Sequence, residues 1–204
     1  PLRNLELSSS WNGSELNMDD FVLEFDNLSR LEAQAAMKWD GTNFQTIELQ
    51  VKSQKVAVDS LSRVWHPSLA SETRQWLVDR LSGGRVEEGS LNLVLEQDPA
   101  KQMQLKSLES VLQIKNSNIQ FYKNLPPGNE VDAIVKIIPN QVEIKLSQGR
   151  VGQFQLNHGK LLFAPLSTGS PLVSIYLKGS GPMAEALDLL EHPDLAILKQ
   201  EMLP

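Results

Sequence analysis

Val131-Asp132-Ala133-Ile134-Val135-Lys136-Ile137 alternates apolar and polar side chains, and so does Gln141-Val142-Glu143-Ile144-Lys145-Leu146. Between them lies Ile138-Pro139-Asn140, which carries turn residues. A period of two places successive side chains on opposite faces of a strand. Two such runs joined by a short turn predict an antiparallel hairpin, with Val131, Ala133, Val135 and Ile137 on one face beside Val142, Ile144 and Leu146. Ile134 and Ile138 add apolar groups to the opposite face.

The same period extends outward. Downstream, Leu161/Phe163 and Val173/Ile175/Leu177 alternate; upstream, Leu112/Ile114 and Ile119/Phe121 do so. Turn residues punctuate the series at Pro99–Lys106, Pro126–Asn129, Gln148-Gly149, Asn157–Gly159 and Thr168–Pro171. The spacing of about ten residues per strand predicts an antiparallel meander. An earlier block reads the same way: Phe21/Leu23/Phe25, then Leu31/Ala33/Ala35/Met37/Trp39, then Ile47/Leu49/Val51 and Val56/Val58. Asp40-Gly41 is a tight-turn signal between two of these strands.

One stretch breaks the pattern. In Pro67–Leu81 the apolar positions Leu69, Trp76, Leu77 and Leu81 recur at helical spacing, with Glu72, Arg74, Gln75 and Asp79 on the other face. Pro67 suits a first turn and Gly83-Gly84 a left-handed stop. Gly181-Pro182 opens a second short helix through Leu190, and Asp194–Met202 is read as a third. The expected organisation is therefore one continuous, mainly β domain. Residues 1–60 form a first strand block, 61–88 a helical insertion, 89–180 a second strand block and 181–204 the terminal helices. No β-α-β alternation supports a doubly wound fold.

Composition narrows the function classes. The 204 residues carry 25 acidic and 19 basic side chains, net −6, which opposes nucleic-acid binding. Hydrophobic residues make up 41%, too many for a disordered chain of this modest charge. No run approaches the roughly 18–20 apolar residues of a membrane-spanning helix. Cysteine is absent, which removes disulfides, thiolate metal sites and thiol nucleophiles, and is compatible with both the cytosol and an oxidising periplasm. The chain starts at Pro1 without a signal peptide and is read as a piece of something longer, with any anchor outside it.

No catalytic motif emerges. His66, His158 and His192 are not at zinc-ligand spacing and read as loop residues. G-x-S-x-G is missing. Asp19-Asp20 with Glu24 and Asp26 is the densest acidic cluster, but the strand period makes Glu24 and Asp26 an ordinary wet face. Gly179-Ser180-Gly181-Pro182 precedes a helix without the spacing of a phosphate-binding loop, and reads as capping. No catalytic, metal or cofactor site is expected. What remains is a long, mostly aliphatic sheet face that has to be covered.

Two stretches carry a resemblance. Trp65–Val86 resembles the W-P…R-x-W…L-x-x-G segment of the AsmA-like superfamily, in its YhdP-type branch of bacterial envelope proteins related to TamB. Ile119–Val131, followed by strands and Gly181-Pro182-Met183-Ala184-Glu185-Ala186-Leu187-Asp188-Leu189-Leu190, is similar to the same branch. The resemblance implies a long antiparallel sheet curled into an open apolar trough, shaped like a taco shell. It also implies a periplasmic piece of an inner-membrane-anchored protein of Gram-negative bacteria, bridging inner and outer membranes and carrying phospholipid, with no enzymatic chemistry.

The expected groove-lining residues are Leu31, Ala33, Ala35, Met37, Ile47, Leu49, Val51, Val131, Ala133, Val135, Ile137, Val142, Ile144, Leu146, Val173, Ile175 and Leu177, some of them packed under the helix. The implied partners are an acyl-chain lipid, the rest of the protein's own chain and envelope proteins. Two other readings stay open. One is a β scaffold that recruits a client strand at its open edges, as implied by TamB. The other is a hydrolase with an unadvertised polar pocket.

Overall fold

The computed structural model describes residues 2–25, 29–65, 71–121, 125–166 and 172–191. Its strands are β1 (Leu2–Trp11), β2 (Glu15–Phe25), β3 (Ser29–Trp39), β4 (Phe44–Ala57), β5 (Leu81–Ser82), β6 (Arg85–Gln97), β7 (Met103–Ile119), β8 (Gly128–Ile138), β9 (Gln141–Val151), β10 (Phe154–Ala164) and β11 (Leu172–Ser180). A 3-10 turn (Val58–Ser60) leads into α1 (Leu61–Val64) and α2 (Ser71–Arg80); α3 (Met183–Leu190) follows β11. All strand pairings among the described residues are antiparallel, and ten strands run in chain order β1-β2-β3-β4-β6-β7-β8-β9-β10-β11, with short β5 pairing β7. The sheet is curled and does not close. This is a mainly β, taco-like fold with three short helices.

Register aligns the apolar positions into rows that cross the sheet. Leu23, Leu31, Ser53, Gly89, Leu112, Val135, Ile144, Leu161 and Ile175 are successive cross-strand partners. Phe21, Ala33, Val51, Leu91, Ser110, Ile137, Val142, Phe163 and Val173 form the adjacent row. Because directly opposite residues share a face, the apolar face is continuous from β2 to β11.

Cover for that face comes from the insertion between β4 and β6. Trp76 and Leu77 of α2, and Leu81 beyond it, are buried. Trp76 meets Phe163 of β10 edge-on, ring centroids 4.6 Å apart. In a flat sheet β10 would stand about 19 Å from β6, four strand spacings away. A ten-residue helix is only about 15 Å long. The curl brings the far strand within reach. Arg80 sits over both rings, 5.8 Å from Trp76 and 5.7 Å from Phe163, and its Nη1 donates to the Gln120 and Phe121 carbonyls. Such stacked guanidinium contacts are favourable when partly desolvated.

The ends of the insertion are stapled together. The Val58 amide donates to the Gly84 carbonyl at 3.3 Å, and the Gly83 amide to Asp59 Oδ1 at 3.0 Å. Gly84 has φ +66°, and a Cβ there would stand 2.4 Å from the Lys115 carbonyl oxygen, so no other residue fits without moving backbone.

Several local expectations are corrected. The helix begins its described course at Ser71 and ends at Arg80; Leu81 belongs to β5. Arg74 is not on a wet face: its Nε donates to the Trp65 carbonyl (2.8 Å) and Nη2 to that of Ser62 (2.6 Å), satisfying carbonyls at the end of α1. Leu112/Ile114 and Ile119 belong to one 17-residue strand, and residues 103–106 start that strand rather than a loop. Gln148-Gly149 lies inside β9, whose turn comes at Gly152. Asn157–Gly159 lies inside β10, where a register shift between Leu156 and His158 absorbs the turn-like residues. His66, Leu69, Thr168–Pro171, His192 and the helix expected over Asp194–Met202 lie outside the described residues.

Trp76→Ala should remove the helix's hold on β10. Urea unfolding followed by circular dichroism should show a loss of about 3–5 kcal/mol, the range for an aromatic residue truncated in a core.

Candidate functional site

All seventeen residues expected to line a groove lie on the one apolar face, but the structure divides them. Val131, Ala133, Val135, Ile137, Val142, Ile144 and Leu146 are buried in the core beside Trp76, Leu77, Phe121 and Leu166. Among the described residues these β8 and β9 side chains are buried in a packed core that includes Trp76 and Leu77 of α2, rather than lining an open groove. Val173, Ile175 and Leu177 of β11 are half-buried against the same core.

The other half of the face is open. Leu31 is buried, but Ala33, Ala35, Met37, Ile47, Leu49 and Val51 are only half-buried. Their cross-strand neighbours Leu16, Met18, Phe21, Leu23, Leu91 and Leu95 are half-buried too. At the outermost strand Leu5 and Leu7 are 54% and 63% exposed, although they pair with Leu23 and Phe21. The apolar face thus passes from a packed core at β7–β10 to an uncovered trough at β1–β4.

A cavity of about 180 Å³ lies where the two halves meet. Leu31, Leu49, Val51 and Leu91 form its trough side, while Leu61 and Trp65 of the insertion overhang it. Ser53, Gly89 and Ser110 also line it, at positions where the neighbouring rows carry aliphatic residues. None of these three, nor Leu61 or Trp65, was expected as a site residue. The available signal was the interruption of apolar alternation in Val51-Lys52-Ser53 and Leu108-Glu109-Ser110.

The opposite face is charged, and several of its charges are paired. Lys145 and Lys160 both approach Glu143, Lys136 approaches Glu109, and Lys115 approaches Asp132. The Lys160 hydrogen bond is the main cause holding the Glu143 carboxyl below its ordinary range. For Asp132, burial pushes upward, but the Lys115 and Asn116 hydrogen bonds together win and lower it. The Asp40 carboxyl, accepting from the Asn43 and Thr42 amides in the β3–β4 turn, is held down at about 2. These groups serve turns and strand faces rather than a pocket.

His158 is exposed and meets Tyr176 edge-on at 6.3 Å. Asp19 accepts from Ser10 Oγ, and Glu24 pairs with Arg30. Among the described residues no three His, Asp or Glu side chains converge as a metal site, and no helix is long and apolar enough to cross a membrane. Gly179, next to last in β11, runs so close to the Gln155 carbonyl that a Cβ there would stand 2.1 Å from its oxygen, and Glu185 in the first turn of α3 accepts the Gln153 amide at 2.6 Å.

The face assignment is testable at adjacent residues. Ile134 is 48% exposed and Val135 is 0% exposed. Ile134→Asp should change stability by less than about 1 kcal/mol. Val135→Asp should cost on the order of 4 kcal/mol or more, because it buries an unpaired carboxylate. Paired denaturation curves check both.

No protein-family model matches the chain, no curated protein matches it, and no solved structure matches it.

Proposed function

We propose that this chain is a segment of a lipid-carrying bridge, in which acyl chains lie along the apolar trough of β1–β4 and the adjoining half-buried positions of β6 while head groups stay in water. One observation carries the reading: an aliphatic face, continuous in register across the sheet, is left half-exposed over several strands while the reverse face is charged. Monomeric proteins seldom leave such a surface without a use. Each methylene moved from water into such a trough contributes about 0.8 kcal/mol. An acyl chain therefore gains enough from several strands to stay bound, and needs no deep pocket. Carriage of this kind breaks no covalent bond, so the proposed role requires no enzyme chemistry and no cofactor.

The resemblance of Trp65–Val86 and Ile119–Leu190 to AsmA-like sequences supports the same reading. On this reading the segment would lie in the periplasm of a Gram-negative envelope, within an inner-membrane-anchored protein, with phospholipid moving between the two membranes. In that setting the filled half under α2 is a partition in the trough.

A second reading is favoured by β1. This ten-residue edge strand exposes Leu2, Leu5, Leu7 and Trp11. An edge of that length is a template for another strand. A scaffold that adds client strands in envelope assembly, or neighbouring segments of its own chain, would use it.

The experiment is uptake of labelled phospholipid from phosphatidylethanolamine/phosphatidylglycerol vesicles, counted by native mass spectrometry. The wild-type chain should acquire phospholipid. Ile47→Asp and Leu49→Asp, which place carboxylates in the trough, should reduce the loaded fraction at least fivefold. Gln50→Asp, on the reverse face of the same strand, should not. A wild-type chain that stays empty, or equal loading in Leu49→Asp and Gln50→Asp, would overturn the conduit and leave the strand-adding scaffold.

A further inference from the structure

The cavity between the trough and the packed core has a feature that the apolar face alone does not account for. Its floor is made of small residues. Ser53 and Gly89 are direct partners across β4 and β6, and Ser110 sits one row away, between Leu91 and Ile137. An aliphatic side chain at any of the three would fill the space. At Gly89 a Cβ would stand 2.3 Å from Ser53 Oγ and 3.1 Å from a Leu112 methyl, so it would displace the Ser53 side chain.

Ser110 is the unusual member. It is 2% exposed and lines the cavity, and its hydroxyl has no hydrogen-bond partner among the described residues. Ser53 Oγ has none either. Neither oxygen is sealed inside protein: among the described residues the buried side-chain polar atom without a partner is Trp76 Nε1, and the two hydroxyls open onto the cavity that they line. By contrast Ser117, on the same strand as Ser110, and Ser29 of β3 donate to the carbonyls of Gly83 and Lys55.

Size and polarity limit what can enter. The volume, 180 Å³, is well below the roughly 300–1,000 Å³ of a site that encloses a whole drug-sized ligand. An apolar cavity of about 150 Å³ accommodates a six-carbon ring such as benzene. The occupant is therefore part of a slender molecule whose remainder runs out along Leu31, Leu49 and Val51. No cationic side chain lines the cavity, so a carboxylate would enter without compensation, at high cost. A neutral oxygen acceptor fits two unpaired O–H donors.

We infer that this cavity binds the ester carbonyl and first few carbons of one acyl chain, with Ser110 and Ser53 as hydrogen-bond donors and Leu61 and Trp65 as its roof. This deepens the lipid-carrying reading and rests on it. It turns one point of the trough into a discrete station that recognises an acyl ester rather than a hydrocarbon tail.

The test compares three probes on the intact chain by isothermal titration calorimetry: methyl octanoate, octanoate at pH 7, and nonane delivered from cyclodextrin. The expected order is ester, then alkane, then carboxylate, with the ester at one per chain and at least tenfold tighter than octanoate. Ser110→Ala should bring the ester down to the alkane's affinity. Ser110→Leu, which fills the cavity and removes the unpaired hydroxyl, should abolish ester binding while unfolding at the same or higher urea concentration than wild type. It should still acquire phospholipid from vesicles along the trough.

Ester affinity unchanged in Ser110→Leu, or octanoate binding as tightly as the ester, would overturn the station. If vesicle uptake persisted in that case, the conduit would stand without it. A chain that takes up neither ester nor phospholipid would overturn both.

Discussion

The contact of Trp76 with Phe163, under the guanidinium of Arg80, is the interaction on which the rest of the architecture depends. It joins an insertion that leaves the sheet between β4 and β6 to a strand four places further along. With the sheet flat, those partners would be too far apart. With the contact made, the sheet is curled, and β7 to β10 enclose a packed core of aliphatic side chains beneath the helix. Among the described residues most of β1 to β4 stays outside that cover, because ten helical residues span only about 15 Å.

From this asymmetry follows the functional reading. A sheet whose cross-strand rows run from β2 to β11, apolar except at Ser53, Gly89 and Ser110, has one physical problem along its width, the exposure of aliphatic surface to water. The chain solves it with its own helix on one side. On the other the described residues leave the surface half-exposed, and this is the strip proposed to hold an acyl chain. The seam between the two solutions is lined by Ser53, Gly89 and Ser110, where apolar alternation lapses and a cavity results. The insertion's own fixings keep that seam in place: Arg74 on the carbonyls of α1, Gly84 against β7, and Asp59 on the Gly83 amide.

Much of the fold was legible in the sequence because a half-buried strand has a period of two and an amphipathic helix does not. Val131–Ile137 and Val142–Leu146 announced their shared face, and Trp76 and Leu77 their burial. Turn chemistry misled where tertiary pairing overrode it. Asn157-His158-Gly159 has the composition of a turn, yet pairing with β9 and β11 carries the strand through it with a register shift. Arg74 looked solvated because helical periodicity sees only one helix, and its partners belong to another. The division of the apolar residues between core and trough was not legible either. Leu49 and Ile144 have the same local pattern, and only the reach of α2 separates them.

The most direct test of the central claim is photo-crosslinking with a phospholipid that carries a diazirine near the end of one acyl chain. The intact protein would be loaded from vesicles, irradiated, digested and mapped by mass spectrometry. Adducts should fall on the open apolar face, at residues such as Met37, Ile47, Leu49 and Leu91, and should spare the charged face and the core beneath Trp76. Adducts on Gln34, Glu48 and Gln50, spread evenly over both faces, or absent altogether would contradict a lipid-carrying trough.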